Sequence, residues 1–306
     1  MKFKKFKFWK YDYKKTRKLK DNIIRKILFG FGITAIIFIL LIIVFLLVEG
    51  LPFFFEADGV DFFTGDVWDP SSPNEPRYGI LPVVLGTFLV TLGAILIAVP
   101  IGIGCAVYLS EVAHPKIRET LKPIIEILAG IPSVVFGFFA LIILSTWIDE
   151  FFNATTKLNA LTGSIMLAVM MLPIIISLSE DAIRSVPREM KEASLALGLS
   201  KWDTIKGVVL PAALSGITAG IILGVARAIG ETMTVLMATG NAPVISFDML
   251  TSMRTMTATI AIEMGEVPYG STHYHALFAI GIILFIITLF VNFIASIIRK
   301  RFRGRY

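Results

Sequence analysis

Six stretches of the chain are almost unbroken runs of apolar residues, at about 27–48, 80–109, 122–148, 161–178, 212–239 and 276–298. A helix needs about 20 such residues to cross a bilayer. The pattern therefore predicts an all-α membrane protein with six transmembrane helices. The first stretch has no charge between Ile27 and Val48 and runs into Glu49-Gly50-Leu51-Pro52. A cleaved leader is shorter and ends in small residues, so this segment reads as a retained N-terminal anchor. Two polar segments differ in kind. Segment 49–79 is acidic and rich in Pro and Gly, which predicts irregular structure, whereas 179–211 is polar yet patterned.

Composition strengthens the membrane reading. Of 306 residues, 56% are apolar and 17% charged, against about 45–50% and about 25% in soluble domains. One cysteine, Cys105, excludes a disulfide framework, and three histidines (His114, His273, His275) leave little for metal chemistry. No cofactor or metal site is expected. The net charge of +6 could point to nucleic acid, so its placement decides. Residues 1–26, 110–122, 179–211 and 299–306 hold 25 of the 29 basic residues and, with six spans, share one side. That bias follows the positive-inside rule and places both termini in the cytoplasm. The mixed basic and aromatic start (Lys4-Lys5-Phe6-Lys7-Phe8-Trp9-Lys10) then reads as a tail held against anionic lipid rather than as a nucleic-acid arm.

Within 179–211, Pro187 suits a helix first turn and Gly198 a stop. Ser200 can cap a second helix carrying Trp202, Ile205 and Val209 and ending at Pro211, with Asp203 in the capping-box position. Five basic and five acidic residues deprive this helix–turn–helix of the charge a DNA reader needs. An interfacial structural pair or a dock for a cytoplasmic protein remain.

The residues here resemble a known family. Glu192-Ala193-Ser194, three residues, Gly198, nine residues, then Val208-Val209-Leu210-Pro211 is similar to the EAA motif of ABC-importer permeases, with Ser194 and Val208 as conservative departures. Further runs resemble the PstC-type phosphate permeases: Phe63–Pro70, Ile125–Val135, Arg227-Ala228-Ile229-Gly230-Glu231-Thr232-Met233, Glu263-Met264-Gly265-Glu266 and His275–Ala279. The sister permease of such transporters is similar through the core, but the Glu-Thr-Met run and the acidic loop favour this branch. The resemblance covers about 50–298.

It implies a type-1 ABC importer permease core over 80–298 behind the anchor at 27–48, with coupling helices at 179–211. Basic cytoplasmic tails at 1–26 and 299–306 and an acidic extracytoplasmic loop at 49–79 complete the expected organisation. Glu192, Ala193, Ser194, Gly198, Leu210 and Pro211 would engage the ATPase. The implied partners are a second permease, two copies of a cytoplasmic ATPase and an extracytoplasmic phosphate-binding protein, in the plasma membrane of a prokaryote. No phosphate loop of the Gly-x4-Gly-Lys-Ser/Thr type occurs, so ATP would be hydrolysed by the partner and not by this chain.

The fifth stretch shows where a polar site could sit. Gly216, Gly220, Gly224 and Ala228 recur every four residues, a small-residue stripe suited to close helix packing. Arg227 and Glu231 lie four apart and are expected on one helix face. Each costs about 2.5–3.5 kcal/mol at mid-bilayer, and the Leu, Ile, Val and Met residues of 212–239 return roughly 3–6 in total. Such a face should meet protein or water. Either the two neutralise each other structurally, or they line the substrate pathway with Thr232, where a guanidinium can bind phosphate oxygens in pairs. Lys122 and Glu126 read as a local pair, and Gly130-Ile131-Pro132 as a kink within the third stretch. Alternatives are a permease for sulfate, molybdate or tungstate, or a secondary anion transporter, which would have no use for the coupling motif. An intramembrane enzyme lacks any nucleophile–base or metal constellation.

Overall fold

The computed structural model describes residues 9–56, 59–73 and 75–302, with side chains over 21–56, 59–73 and 75–298. The basic tails therefore lie outside the described residues, apart from helical backbone at 9–20, the side chains of 21–26 and helical backbone at 299–302. The chain divides into two units, Met1–Glu49 and Gly50–Tyr306.

Among the described residues, the first unit is a single helix that continues to Gly50, α1 (Trp9–Gly50). In the second, two short helices, α2 (Phe53–Glu56) and α3 (Gly59–Thr64), precede a two-stranded antiparallel ladder, β1 (Trp68–Asp69) with β2 (Arg77–Tyr78). The expected irregularity of 49–79 is thus corrected. Phe53, Phe62 and Trp68 are buried. Phe53 meets both Phe62 and Tyr78 edge to edge, and Trp68 meets Tyr78 in the same way, so aromatic packing orders a segment in which Glu56, Asp61, Asp66, Asp69 and Glu75 are exposed.

The membrane core follows. It comprises α4 (Leu81–Val107), α5 (Pro115–Ala129), α6 (Ser133–Phe139), α7 (Ser145–Phe152), α8 (Ala160–Arg184), α9 (Arg188–Ala196), α10 (Lys201–Thr204), α11 (Leu210–Ile229), α12 (Met233–Ala238), α13 (Met256–Glu263) and α14 (Thr272–Phe302). Single π turns extend α4 through Tyr108–Val112, join α6 to α7 and join α10 to α11. Six helical stretches among the described residues are long and apolar enough to cross a membrane.

α8 is the most buried of these and lies between α4 and α11, while α14 packs on α11 and α13. Small residues set the spacing. A Cβ on Gly216 would come within 2.3 Å of the Ala182 Cβ, and Gly220 and Gly224 face Leu178 and Ile175 of α8. The stripe, with Ala228 buried beyond it, brings the two backbones together where lipid offers no hydrophobic drive for association.

Three boundaries depart from the sequence pattern. The third span is Ser133–Phe152, because the chain breaks at Gly130-Ile131-Pro132 and α5 stands apart as an amphipathic helix with no buried residue. The second helix of 179–211 does not stop at Pro211. Pro211 takes the first turn of α11, where a missing N–H costs nothing, so Lys201–Ile229 is one span. The first helix of that region is preceded by a longer α8, which ends at Arg184 rather than near 178.

Candidate functional site

The fifth stretch is broken at its most polar point. α11 ends at Ile229, Gly230 takes the C-cap with φ −87° and ψ 0°, and α12 starts at Met233. Glycine is a poor helix interior and Glu and Thr can hydrogen-bond locally, so Gly230-Glu231-Thr232 is where the helix gives way. Arg227 and Glu231 therefore do not share a face of one helix, and among the described residues no carboxylate lies within 4 Å of the Arg227 guanidinium. The structural ion pair is absent.

Glu231 is occupied otherwise. Its Oε1 accepts the Thr234 N–H at 3.2 Å, capping α12, and its carbonyl accepts Thr257 Oγ1 at 2.7 Å. Thr234 Oγ1 donates to the Ser133 carbonyl at 3.0 Å and lies 3.1 Å from Met170 Sδ. The break at 230–232 thus faces the break at 130–132. Met170 is the eleventh residue of α8, about 15 Å along a helix about 36 Å long. The two breaks meet near mid-span.

The third wall was not legible as such. α13 carries buried Met256, Thr257, Ala258 and Thr259, capped by Thr255, whose Oγ1 accepts the Ala258 N–H. It re-enters the core from the segment 240–275 that sequence places wholly outside. That segment is pinned by a bridge between Gly240 and Met253 and by Ala160 and Leu161 donating to Thr251 and Met249.

Arg227 is exposed in the last turn of α11, where the free carbonyls favour a cation, and it shares a face with exposed Leu223. Glu231 and Thr232 are half-buried. Nearby, a cavity of about 380 Å³ between α4, α11, α13 and α14 is lined by residues such as Phe88, Leu92, Val225 and Ile229. Its lining carries no charged side chain, and its Thr87 hydroxyl is spent on Val83 and Met256 backbone, so it suits an apolar occupant rather than an anion. The polar surface is at the break.

At the ladder end of the core, Glu263 gathers three donors. It receives Arg254 at 2.6 Å, Trp68 Nε1 at 3.1 Å and His273 Nε2 at 2.8 Å. This hub ties β1, α13 and α14 and was invisible in sequence because Trp68 and Glu263 are 195 residues apart.

At the opposite end lies the α9–α10 loop. Glu192 and Ala193 are exposed, whereas Ser194 is buried and its hydroxyl meets Thr204 at 3.0 Å. Gly198 has φ +84° and nothing within 4 Å of a Cβ position. Ser200 caps α10 through the Asp203 N–H. Leu195, Leu197, Leu199 and Trp202 are exposed, Leu197 by 84%. Leu210 is half-buried beside Ile183 and Val209, with Pro211 next to it at the foot of α11.

A family model for the inner membrane component of binding-protein-dependent transport systems matches residues 98–304. The chain belongs to this family. A probable ABC transporter permease, YqgH of Bacillus subtilis (strain 168), is 38% identical over 261 residues, covering 83% of this chain and 84% of the relative. The phosphate transport system permease protein PstC of Mesorhizobium japonicum is 34% identical over 266 residues, covering 81% and 80%. Among solved structures, a bacterial alginate ABC transporter matches with TM-score 0.64 at 14% identity over 93% of this chain and 98% of that one. The MetNI methionine ABC transporter matches with TM-score 0.55 at 19% identity over 73% and 94%. These likenesses bear on the fold alone. The protein is a multi-pass ABC permease, a transport subunit rather than an enzyme.

Proposed function

We propose that this permease is one half of the membrane part of an ATP-driven importer and that its cargo is inorganic phosphate. The observation that carries the reading is Arg227, an exposed guanidinium without a carboxylate partner among the described residues, one turn from a break at mid-span. An intramembrane cation in that position marks a pathway or a subunit interface. A second permease packed against this face would enclose it with Glu231 and Thr232.

In that setting Arg227 binds phosphate oxygens in pairs. The second oxygen of Glu231 accepts a hydrogen from phosphate that still carries a proton, a bond that sulfate at neutral pH cannot make. Relatives named as phosphate permeases at 31–35% identity over most of the chain support phosphate over other oxyanions.

The α9–α10 loop supplies the energy coupling. Four large apolar side chains exposed around an EAA motif make a surface that water disfavours and a protein groove would cover. The partner is a cytoplasmic ATPase, present twice in the complex, with a binding protein delivering phosphate at the ladder end. Both termini and the loop then lie in the cytoplasm of a prokaryotic cell, consistent with the basic bias.

The test is uptake of labelled phosphate by proteoliposomes holding the complete importer, with sulfate and molybdate as competitors. ATP-dependent uptake of phosphate, blocked by neither competitor, is expected. Uptake of sulfate or molybdate in its place would overturn the substrate assignment, and uptake without the ATPase would overturn the class.

A further inference from the structure

α5 is the least embedded helix of the core, although Leu128 leans on the main apolar cluster. Chain breaks bound it at both ends, His114-Pro115 on one side and Gly130-Ile131-Pro132 on the other. It is fastened to α8 by Lys122. The Lys122 ammonium donates to Glu180 Oε2 at 2.6 Å and also to Asp181. Burial works against this charge, but the hydrogen bonds to Asp181 and Glu180 outweigh it and raise the lysine pKa.

Glu180 is 1% exposed, and its other oxygen accepts no hydrogen bond, with only the Arg184 guanidinium at 3.6 Å. Among the described residues, Lys122 therefore makes the one hydrogen bond to this buried carboxylate's side chain. Moving α5 away alone would strand the charge, which is strongly unfavourable. The two helices are held to move together.

What they connect gives the fastening its meaning. Past Arg184, α8 passes through Ser185-Val186-Pro187 directly into α9. At its far end α5 passes through Gly130-Ile131-Pro132 into Ser133, whose carbonyl holds Thr234 beside Glu231. A second ion pair, Lys191 with Glu111, fastens α9 to the end of the α4 span, which does not lead to the break.

We infer that Lys122 is a positioning residue that transmits displacement of α9 to the mid-span break by clamping α5 to the α8–α9 junction. The inference rests on the reading of α9 as the ATPase dock. It assigns a coupling role to a pair that the family motif does not contain.

The experiment compares ATP hydrolysed per phosphate moved in proteoliposomes carrying the complete importer. Lys122→Met is expected to assemble and hydrolyse ATP while the ratio rises at least about fivefold, the lower end of ordinary coupling factors. Lys122→Arg keeps the charge and should keep the ratio. Asp181→Asn removes the exposed half of the clamp and should shift the ratio in the same direction by less. It decides the matter if Lys122→Met fails to assemble. An unchanged ratio in Lys122→Met, or in Asp181→Asn where that variant decides, overturns the clamp. Gly198→Val separates the two readings. If it retains its ATPase and a normal ratio, the docking reading falls and the clamp with it. If it uncouples while Lys122→Met does not, the clamp alone falls.

Discussion

The mid-span break and the α9–α10 loop invert each other. At the break, Glu231, Thr234 and Thr257 are polar groups turned into an apolar bundle, each satisfied by a neighbouring backbone or side-chain group. On the loop, Leu195, Leu197, Leu199 and Trp202 are apolar groups turned out into the open. Each region spends stability that a purely structural chain would keep. The difference lies in what completes them. Among the described residues, the break keeps one cation, Arg227, without a carboxylate partner, which under the proposed function suits a small anion. On the loop, nothing among the described residues covers these side chains, which under the proposed function suits a protein partner.

The strongest way to break this contrast is at the break. Arg227→Met removes a charged hydrogen-bond donor, an interaction of about 1.5–3 kcal/mol. Phosphate uptake should fall roughly 10- to 150-fold with the complex assembled, and normal uptake would leave Arg227 a packing residue. Glu231 can be split into its two duties. Glu231→Gln retains an oxygen for the Thr234 N–H, whereas Glu231→Leu loses the cap at about 0.5–2 kcal/mol. Uptake should be lost in both variants, and thermal stability only in the leucine one. On the loop, Leu195→Ser with Leu197→Ser should weaken ATPase binding by about 2 kcal/mol, the size of an interface hot spot. Pull-down of the ATPase by purified permease measures it.

How far the sequence reached follows from range. Six spans were legible because each is a long apolar run, and the stripe at Gly216, Gly220 and Gly224 because its period is local. The break at Gly230-Glu231-Thr232 was hidden inside such a run, where Ile229 and Met233 on either side keep the average apolar. α13 escaped notice since Met256–Glu263 has eight residues, five of them Thr, Ala or Glu, too few to read as a span. In sequence, Glu180 stands in a polar segment and its partner Lys122 stands four residues from Glu126. A pairing across 58 residues has no local signature. Tertiary packing, not propensity, chose these partners.

A moderate effect is expected where neither polarity nor exposure is at issue. Gly216→Val puts side-chain atoms into the space held by Ala182. Overpacking of this kind costs about 1–3 kcal/mol, read as a lower unfolding temperature of the detergent-solubilised complex. Unchanged stability would mean that α8 and α11 can separate without loss.

The smallest effect sharpens the contrast most, since it asks whether charge alone marks a functional place. Glu126 lies on α5 four residues from Lys122 and had every local reason to pair with it. The structure leaves Glu126 exposed and gives Lys122 to Glu180 and Asp181 instead. An exposed carboxylate with no partner among the described residues sheds little when neutralised, because water solvates it equally well folded and unfolded. Glu126→Gln should therefore change stability by less than about 0.5 kcal/mol and leave both uptake and the ATP-to-phosphate ratio as they were. The same measurements on Lys122→Met, one turn away on the same helix, should move the ratio. If Glu126→Gln moved it as well, the charge of α5 as a whole, rather than the buried contact with Glu180, would be what the transporter uses.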